Sequence, residues 1–305
     1  MQKKNNSHCI DAGWVKTHLP KRSLNSHKGS CGKVFIVAGS SGMSGAAELT
    51  SLSALRSGSG LAYLFCPDVI SNFIDAVIKE VITIGCPSYQ NKFFSSEAYT
   101  EIMRQHLIKP CQALALGPGL SVNAETTKLA KRILEAEWKV PIIMDADALK
   151  IIAQSKDREW IVKNKNAIIL TPHPGELSEM LKIPVADIQK NRIKYALQAA
   201  KNFNAYVVLK GAFTIVTDPK GNYFINPTGN PAMATAGMGD VLTGMIASFI
   251  GQGLPILDSL KIAVFVHGFA GDTLAQIKGE QGMLASDIME IIPQTINFIK
   301  RGRYA

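Results

Sequence analysis

Residues 229–240, Gly-Asn-Pro-Ala-Met-Ala-Thr-Ala-Gly-Met-Gly-Asp, hold the chemistry that stands out first. A loop of small residues runs straight into a helical pattern, with Val241, Leu242, Met245, Ile246, Phe249 and Ile250 at helical spacing. A helix N-terminus presents free N–H groups and the positive end of its dipole. The amides of Gly237, Met238 and Gly239 can therefore form an anion hole. Asp240 in the first helical turn stands where a carboxylate can take a proton from a hydroxyl attacking a bound phosphate. The plainer role for Asp240 is a helix cap, but a cap needs no long loop of small residues before it. His173 lies between Pro172 and Pro174, which stiffen the backbone that presents it to a ligand or fix it as a structural loop residue. Lys210 and Gly211 end an apolar run, suited to phosphate and to close approach of a nucleotide, or to a solvated strand end. Asp145 and Asp147 follow another such run and can hold magnesium through water or serve structure, the latter favoured for at least one.

Buried strands must carry these groups. Val34–Ala38, Leu61–Phe65, Ala113–Leu116, Pro141–Met144, Ala167–Leu170 and Ala205–Leu209 are continuous apolar runs. Amphipathic segments, notably 123–136 and 185–203, fall between several of them. This alternation predicts an α/β fold, a mostly parallel central sheet with helices on both faces. Phe213–Thr217 and Asn222–Ile225 read as an antiparallel hairpin at one edge, and roughly 255–299 as helical. Gly39-Ser-Ser-Gly-Met-Ser-Gly45 follows the first strand, but its spacing is not the dinucleotide fingerprint, and no Gly-Lys-Ser or Gly-Lys-Thr P-loop exists. Segments 39–46, 117–120, 171–176, 210–214 and 228–240 are expected to converge at the C-terminal edge of the sheet, where open parallel sheets bind ligands.

Composition narrows the class. The chain has 305 residues, 47% of them hydrophobic, which is ample for a large core. Residues 1–30 are polar and turn-rich and are expected to be a loosely ordered lead-in; residues 31–305 are expected to form a single domain. The net charge of +9 is spread along the chain, with no basic stripe interleaved with aromatics, so nucleic acid is not an expected partner. The five cysteines form no Cys-x-x-Cys pair and signal neither zinc nor a disulfide framework. No run is long enough to span a bilayer and the first residues lack a signal-peptide core, so a cytoplasmic location is expected.

Taken together, Gly42–Ala47, Gly117-Pro-Gly-Leu120, Asp145-Ala-Asp-Ala-Leu149, Thr171-Pro-His-Pro-Gly-Glu176, Lys210-Gly-Ala212 and Gly229–Asp240 resemble the ADP-dependent NAD(P)H-hydrate dehydratases, the carbohydrate-kinase-like domain of the nicotinamide nucleotide repair proteins. The resemblance covers roughly residues 25–296. It implies a ribokinase-like fold and a lyase reaction: ADP phosphorylates the C6 hydroxyl of hydrated NADH or NADPH, and phosphate then leaves, giving NAD(P)H, AMP and phosphate. Phosphate is a far better leaving group than hydroxide, so a kinase-like site can serve a net dehydration. By the same resemblance Asp240 activates the hydroxyl beside the Gly237, Met238 and Gly239 amides. Ala46, Gly119, His173 and Asp240 contact the hydrated cofactor, and Lys210, Gly211, Ala212, Phe213, Thr214 and Gly239 hold the adenine nucleotide. Magnesium on the nucleotide and a homo-oligomer, tetrameric by analogy, are implied as well.

Two positions depart from the family pattern: Ser121 stands where glycine is usual and Lys150 where asparagine is usual. The epimerase domain fused ahead of this one in many bacteria is not expected in a lead-in of some thirty residues. Two other readings compete. A small-molecule kinase of the same fold, acting on a vitamin-precursor alcohol, would share Gly-x-Gly-Asp without the Thr-Pro-His-Pro-Gly-Glu and Gly-Asn-Pro-Ala-Met-Ala pair. A non-catalytic adenine-nucleotide sensor would bind ADP without turnover.

Overall fold

Alternate residues of each apolar run leave the sheet on opposite faces, and that simple rule divides the core in two. In the computed structural model, which describes residues 8–303, Val34 and Ile36 join one cluster, while Phe35 and Val37 join the other. The strands are β1 (Lys33–Val37), β2 (Leu61–Pro67), β3 (Ile82–Cys86), β4 (Ser88–Tyr89), β5 (Phe93–Phe94), β6 (Ala113–Leu116), β7 (Ile142–Met144), β8 (Ile168–Leu170), β9 (Tyr206–Leu209), β10 (Ile215–Thr217) and β11 (Tyr223–Ile225). Nine of them form one sheet in the order β11-β10-β9-β8-β7-β6-β1-β2-β3. Every pairing from β3 across to β9 is parallel, and β10 and β11 add an antiparallel hairpin at the far edge. The expected mostly parallel sheet with one edge hairpin is therefore found.

The helices are α1 (Ala12–His18), α2 (Ser44–Arg56), α3 (Asp68–Val77), α4 (Ala98–Ile108), α5 (Ala124–Glu135), α6 (Asp147–Gln154), α7 (Glu159–Val162), α8 (Pro174–Leu181), α9 (Val185–Lys190), α10 (Arg192–Phe203), α11 (Met238–Gly251), α12 (Ile256–Lys278) and α13 (Ala285–Lys300). Buried residues of α1–α3 and α11–α13 pack on one face of the sheet, and those of α4–α10 on the other. The segment 185–203 is two helices, with Asn191 closing one and opening the next. The stretch 255–299 is likewise split, by a turn after Gly279.

Two expectations need correcting. The edge strand β3 was not anticipated, because its residues are half-exposed and show no continuous buried run. The lead-in differs more. Its first seven residues lie outside the described ones, but residues 8–19 are bound to the fold. Asp11 caps α1, Ile10 donates its amide to the Ile225 carbonyl, and Ile10, Val15 and Leu19 are buried. The Lys261 ammonium sits 3.6 Å from the Trp14 ring centroid and 4.7 Å from that of Phe224, a cation–π sandwich that fastens α1 to α12. Polar composition hid this, since the buried apolar side chains of the segment, Ile10, Val15 and Leu19, are spaced among polar residues. No helix among the described residues is long and apolar enough to cross a membrane.

Candidate active site

The turn into α11 follows from one glycine. Gly237 has φ +88°, and a β-carbon there would lie 2.6 Å from Leu49 Cδ1. Only glycine takes this left-handed corner without strain. It starts α11 with no capping side chain, and among the described residues no group accepts from the amides of Gly237, Met238 or Gly239. Asp240 is the third residue of the helix. Its carboxylate makes no hydrogen bond to another described residue. Burial, reinforced by the negative charge of Asp145, pushes its pKa up to about 7, against the opposing pull of Lys210.

Lys210 reaches the same turn from the end of β9. A β-carbon on Gly239 would stand 3.2 Å from its Nζ, so the absence of a side chain there lets the ammonium lie against the turn. Lys210 is fixed from behind. Its Nζ is 2.7 Å from Asp145 Oδ1 and 3.8 Å from Glu176 Oε2. Burial works against the ammonium, but the two carboxylates outweigh it and hold its pKa above the ordinary lysine value.

Asp145 binds several elements together. Thr171 Oγ1 also donates to its Oδ1, and Thr243 Oγ1 on α11 donates to its Oδ2, both at 2.7 Å. The ends of β7, β8 and β9 and the first turns of α11 thus meet on one carboxylate. Asp147 faces elsewhere: it accepts from the Ser121 amide and from Lys150 Nζ. Ala146 between them has φ +50° and ψ −118°, a conformation costly for a residue with a β-carbon, and this corner separates the two carboxylates. Both positions that depart from the family pattern therefore bear on Asp147. Ser121 adopts φ +64°, where glycine would be relaxed. Asp145 thus accepts from three donors and Asp147 from two, on separate sides of this corner. No group of three His, Cys, Asp or Glu residues among those described is placed to hold one.

His173 caps α8 with its ring. Nδ1 accepts from the amides of Gly175 and Glu176, and the Glu176 carboxylate accepts from the His173 amide. Nδ1 is thereby an acceptor, which leaves the hydrogen on Nε2. Burial and the nearby Lys210 charge lower the imidazole pKa, so the ring is neutral at pH 7. Burial, with Asp145 adding to it, raises Glu176 to about 7.

One cavity of about 840 Å³ gathers these groups. Its walls include Lys210, Gly211, Ala212, Phe213, Thr214, His173, Met238, Gly239 and Asp240. Phe213, 66% exposed and at φ +53°, stands at the mouth. Ala46 and Gly119 do not line it. They pack on each other, a β-carbon at Gly119 lying 3.1 Å from Ala46 Cβ, and the Gly39 amide donates to the Pro118 carbonyl. Segments 39–46 and 117–120 thus form one cluster, and 171–176, 210–214 and 228–240 another.

Several contributors escaped the sequence reading. Thr171, Thr243 and Glu176 complete the Lys210–Asp145 network. Arg192 donates to the carbonyls of Leu209 and Lys210 and lies under Gly211, bracing the 210–214 loop. Asp272 holds the Gly229 amide and Asn230 Nδ2, pinning the small-residue loop to α12. Nothing local marks such residues, because each partner is distant in sequence.

Comparison with known proteins follows the same outline. The sequence profile of the NAD(P)H-hydrate dehydratase family matches residues 34–294. A bifunctional NAD(P)H-hydrate repair enzyme of Moorella thermoacetica is 36% identical over 95% of this chain and 54% of its own length. The chain thus spans about half the length of the curated relatives it first matches. A crystal structure of the Bacillus subtilis ADP/ATP-dependent NAD(P)H-hydrate dehydratase, co-crystallised with ATP and Mg2+, superposes with a TM-score of 0.83 at 30% identity, over 97% of this chain and 99% of that one. A ribokinase-like superfamily protein of Enterococcus faecalis, 22% identical, shares the fold with a TM-score of 0.81 over 96% of each chain.

Proposed function

The chain belongs to the NAD(P)H-hydrate dehydratase family, and on that premise we propose that it uses ADP to dehydrate hydrated NADH or NADPH back to the reduced cofactor. The observation that carries this reading is the juxtaposition of free amides at Gly237–Gly239, the partly buried Asp240 carboxylate and the Lys210 ammonium in one cavity. Asp240 takes the proton from the C6 hydroxyl. The oxygen attacks the β-phosphorus of ADP, and AMP departs. Phosphate then leaves C6 as the ring nitrogen pushes electrons toward it, and loss of a C5 proton restores the double bond. A base with a pKa near 7 suits this work, since it is both available and basic at neutral pH. The amides and Lys210 hold the transferring phosphoryl group.

Lys210–Thr214 and Gly239 bind the nucleotide, while Ala46, Gly119 and His173 contact the hydrated cofactor. The neutral His173 can donate through Nε2 without competing for phosphate. Magnesium bound with the nucleotide would neutralise phosphate charge. The donor set fits an ion held mainly by phosphates, which needs few protein ligands, with Asp145, Glu176 and Asp240 as the carboxylates lining the cavity. We also read the chain as a homo-oligomer, because α3 exposes Val69, Phe73 and Val77 in a stripe near the edge strand β3.

The test is direct. Purified protein with hydrated NADH, ADP and magnesium should regain dihydronicotinamide absorbance and release one AMP and one phosphate per turnover. A stable phosphorylated product from a vitamin-precursor alcohol and ATP, with no regained absorbance, would make it a kinase instead.

A further inference from the structure

One charged side chain supports the cavity from outside it. Arg192 opens α10 and is not among the cavity walls. Its Nη2 donates to the carbonyls of Leu209 and Lys210, at 3.1 and 3.2 Å, and its Nη1 donates to Gln189 Oε1 at 3.0 Å. Its Nε is buried without a hydrogen-bond partner among the described residues. Burial lowers the guanidinium pKa, and no neighbouring carboxylate opposes that effect. An arginine usually keeps its head in water or against an acid. This one spends its charge on two backbone carbonyls at the end of β9.

The loop above it needs such a hold. Gly211 has φ +126° and Phe213 φ +53°. A bulky residue in the left-handed region is strained, and it stays there only where its surroundings fix it. Inside the loop, Thr214 Oγ1 donates to the Gly211 carbonyl at 2.8 Å. The amides of Gly211, Ala212 and Phe213 meet no acceptor among the described residues. From below, the guanidinium lies against Gly211: a β-carbon there would stand 3.2 Å from Arg192 Nη1 and 3.3 Å from Nη2. The Lys210 ammonium is secured separately, by Asp145 at 2.7 Å, and the Lys210 amide by the Pro172 carbonyl at 2.8 Å. Removing Arg192 therefore releases the Lys210 carbonyl and the loop after it, while the ammonium stays in place.

We propose that Arg192 is the positioning residue that holds the 211–214 loop in its nucleotide-receiving shape, and that it sets the affinity for ADP without entering the phosphoryl-transfer step. This deepens the nucleotide-site reading and rests on it.

The experiment pairs calorimetric titration of the whole chain with magnesium ADP and steady-state kinetics followed by regained dihydronicotinamide absorbance. Arg192→Met should raise Kd and KM for ADP about tenfold, the scale of a lost hydrogen bond from a charged group. The KM for hydrated NADH should stay within about twofold and kcat at saturating ADP within about threefold. A merely structural role would raise both Michaelis constants together. Arg192→Lys keeps the charge but lacks the planar fork that reaches two carbonyls, so its ADP affinity should remain at least about threefold weaker than that of the unaltered protein. If the methionine variant does not fold, the lysine variant carries the test. An unchanged Kd for ADP in the methionine variant, full affinity in the lysine variant, or an equal rise in both Michaelis constants overturns the assignment. Failure of the unaltered protein to bind ADP overturns the nucleotide reading and this one together. Tight ADP binding that neither variant weakens overturns only the role of Arg192.

Discussion

Asp145 and Asp240 are two carboxylates around one turn, in opposite states. Asp145 accepts from Lys210, Thr171 and Thr243, each at 2.7 Å. Asp240 makes no hydrogen bond to any other described residue and is buried enough to raise its pKa to about 7. A saturated carboxylate is a pinned structural part. An unpartnered, partly buried one is held at a cost in stability and accepts a proton more readily. The contrast separates two roles within one site: Asp145 pins the geometry, and Asp240 is the carboxylate we propose as the base.

The largest expected effect separates them by activity. Asp240→Asn should lower kcat by about 10³-fold or more while ADP affinity stays within a few-fold, measured by regained dihydronicotinamide absorbance and by titration calorimetry. Full activity in this variant ends the base assignment. Stability should move the other way. Between about pH 4 and 7 the folded state keeps the Asp240 proton that the unfolded chain has released, so folding stability falls as pH rises through that window. Asp240→Asn removes this penalty and should melt a few degrees higher than the unaltered protein at pH 8.

Asp145→Ala should do the reverse. It leaves the Lys210 ammonium buried without its closest partner, a loss of about 3–5 kcal/mol, seen as a fall in melting temperature on the order of 10 °C. A melting temperature unchanged within about 2 °C, equivalent to roughly 1 kcal/mol, would mean that the network does not anchor the turn. Smaller again is the pH profile. The ratio kcat/KM should rise with pH and level off above about 7 as Asp240 loses its proton; a flat profile from pH 5 to 8, roughly the span over which such a base titrates, would argue for another base. The smallest effect is expected at Ser121. With φ +64°, Ser121→Gly relieves the left-handed strain but gives up the contact with Ser40 Oγ, so the net change in denaturant stability should stay below about 1 kcal/mol.

Much of this was legible in the chain itself. The apolar runs located six of the nine strands of the main sheet and the hairpin reading two more, β10 and β11, because a buried strand writes its period into consecutive residues. The edge strand β3 left no such record, being half-exposed. Gly237, Gly239 and Asp240 announced an uncapped helix start because a glycine corner beside a helix is local chemistry. The five segments do gather at the C-terminal ends of the strands, but in two groups: Ala46 and Gly119 pack on each other beside the cavity that holds Lys210 and Asp240.

The sequence by itself determined the layered α/β architecture, the glycine corner and the acid at the head of α11, since each depends on residues within a turn or two of one another. Only the tertiary structure decided which of the acids is free. Asp145 and Thr243 are 98 residues apart, and Asp145 and Lys210 are 65 apart; no spacing along the chain reveals that they bond. Whether a polar group is satisfied depends on what surrounds it in space, and burial sets both its cost and its reactivity.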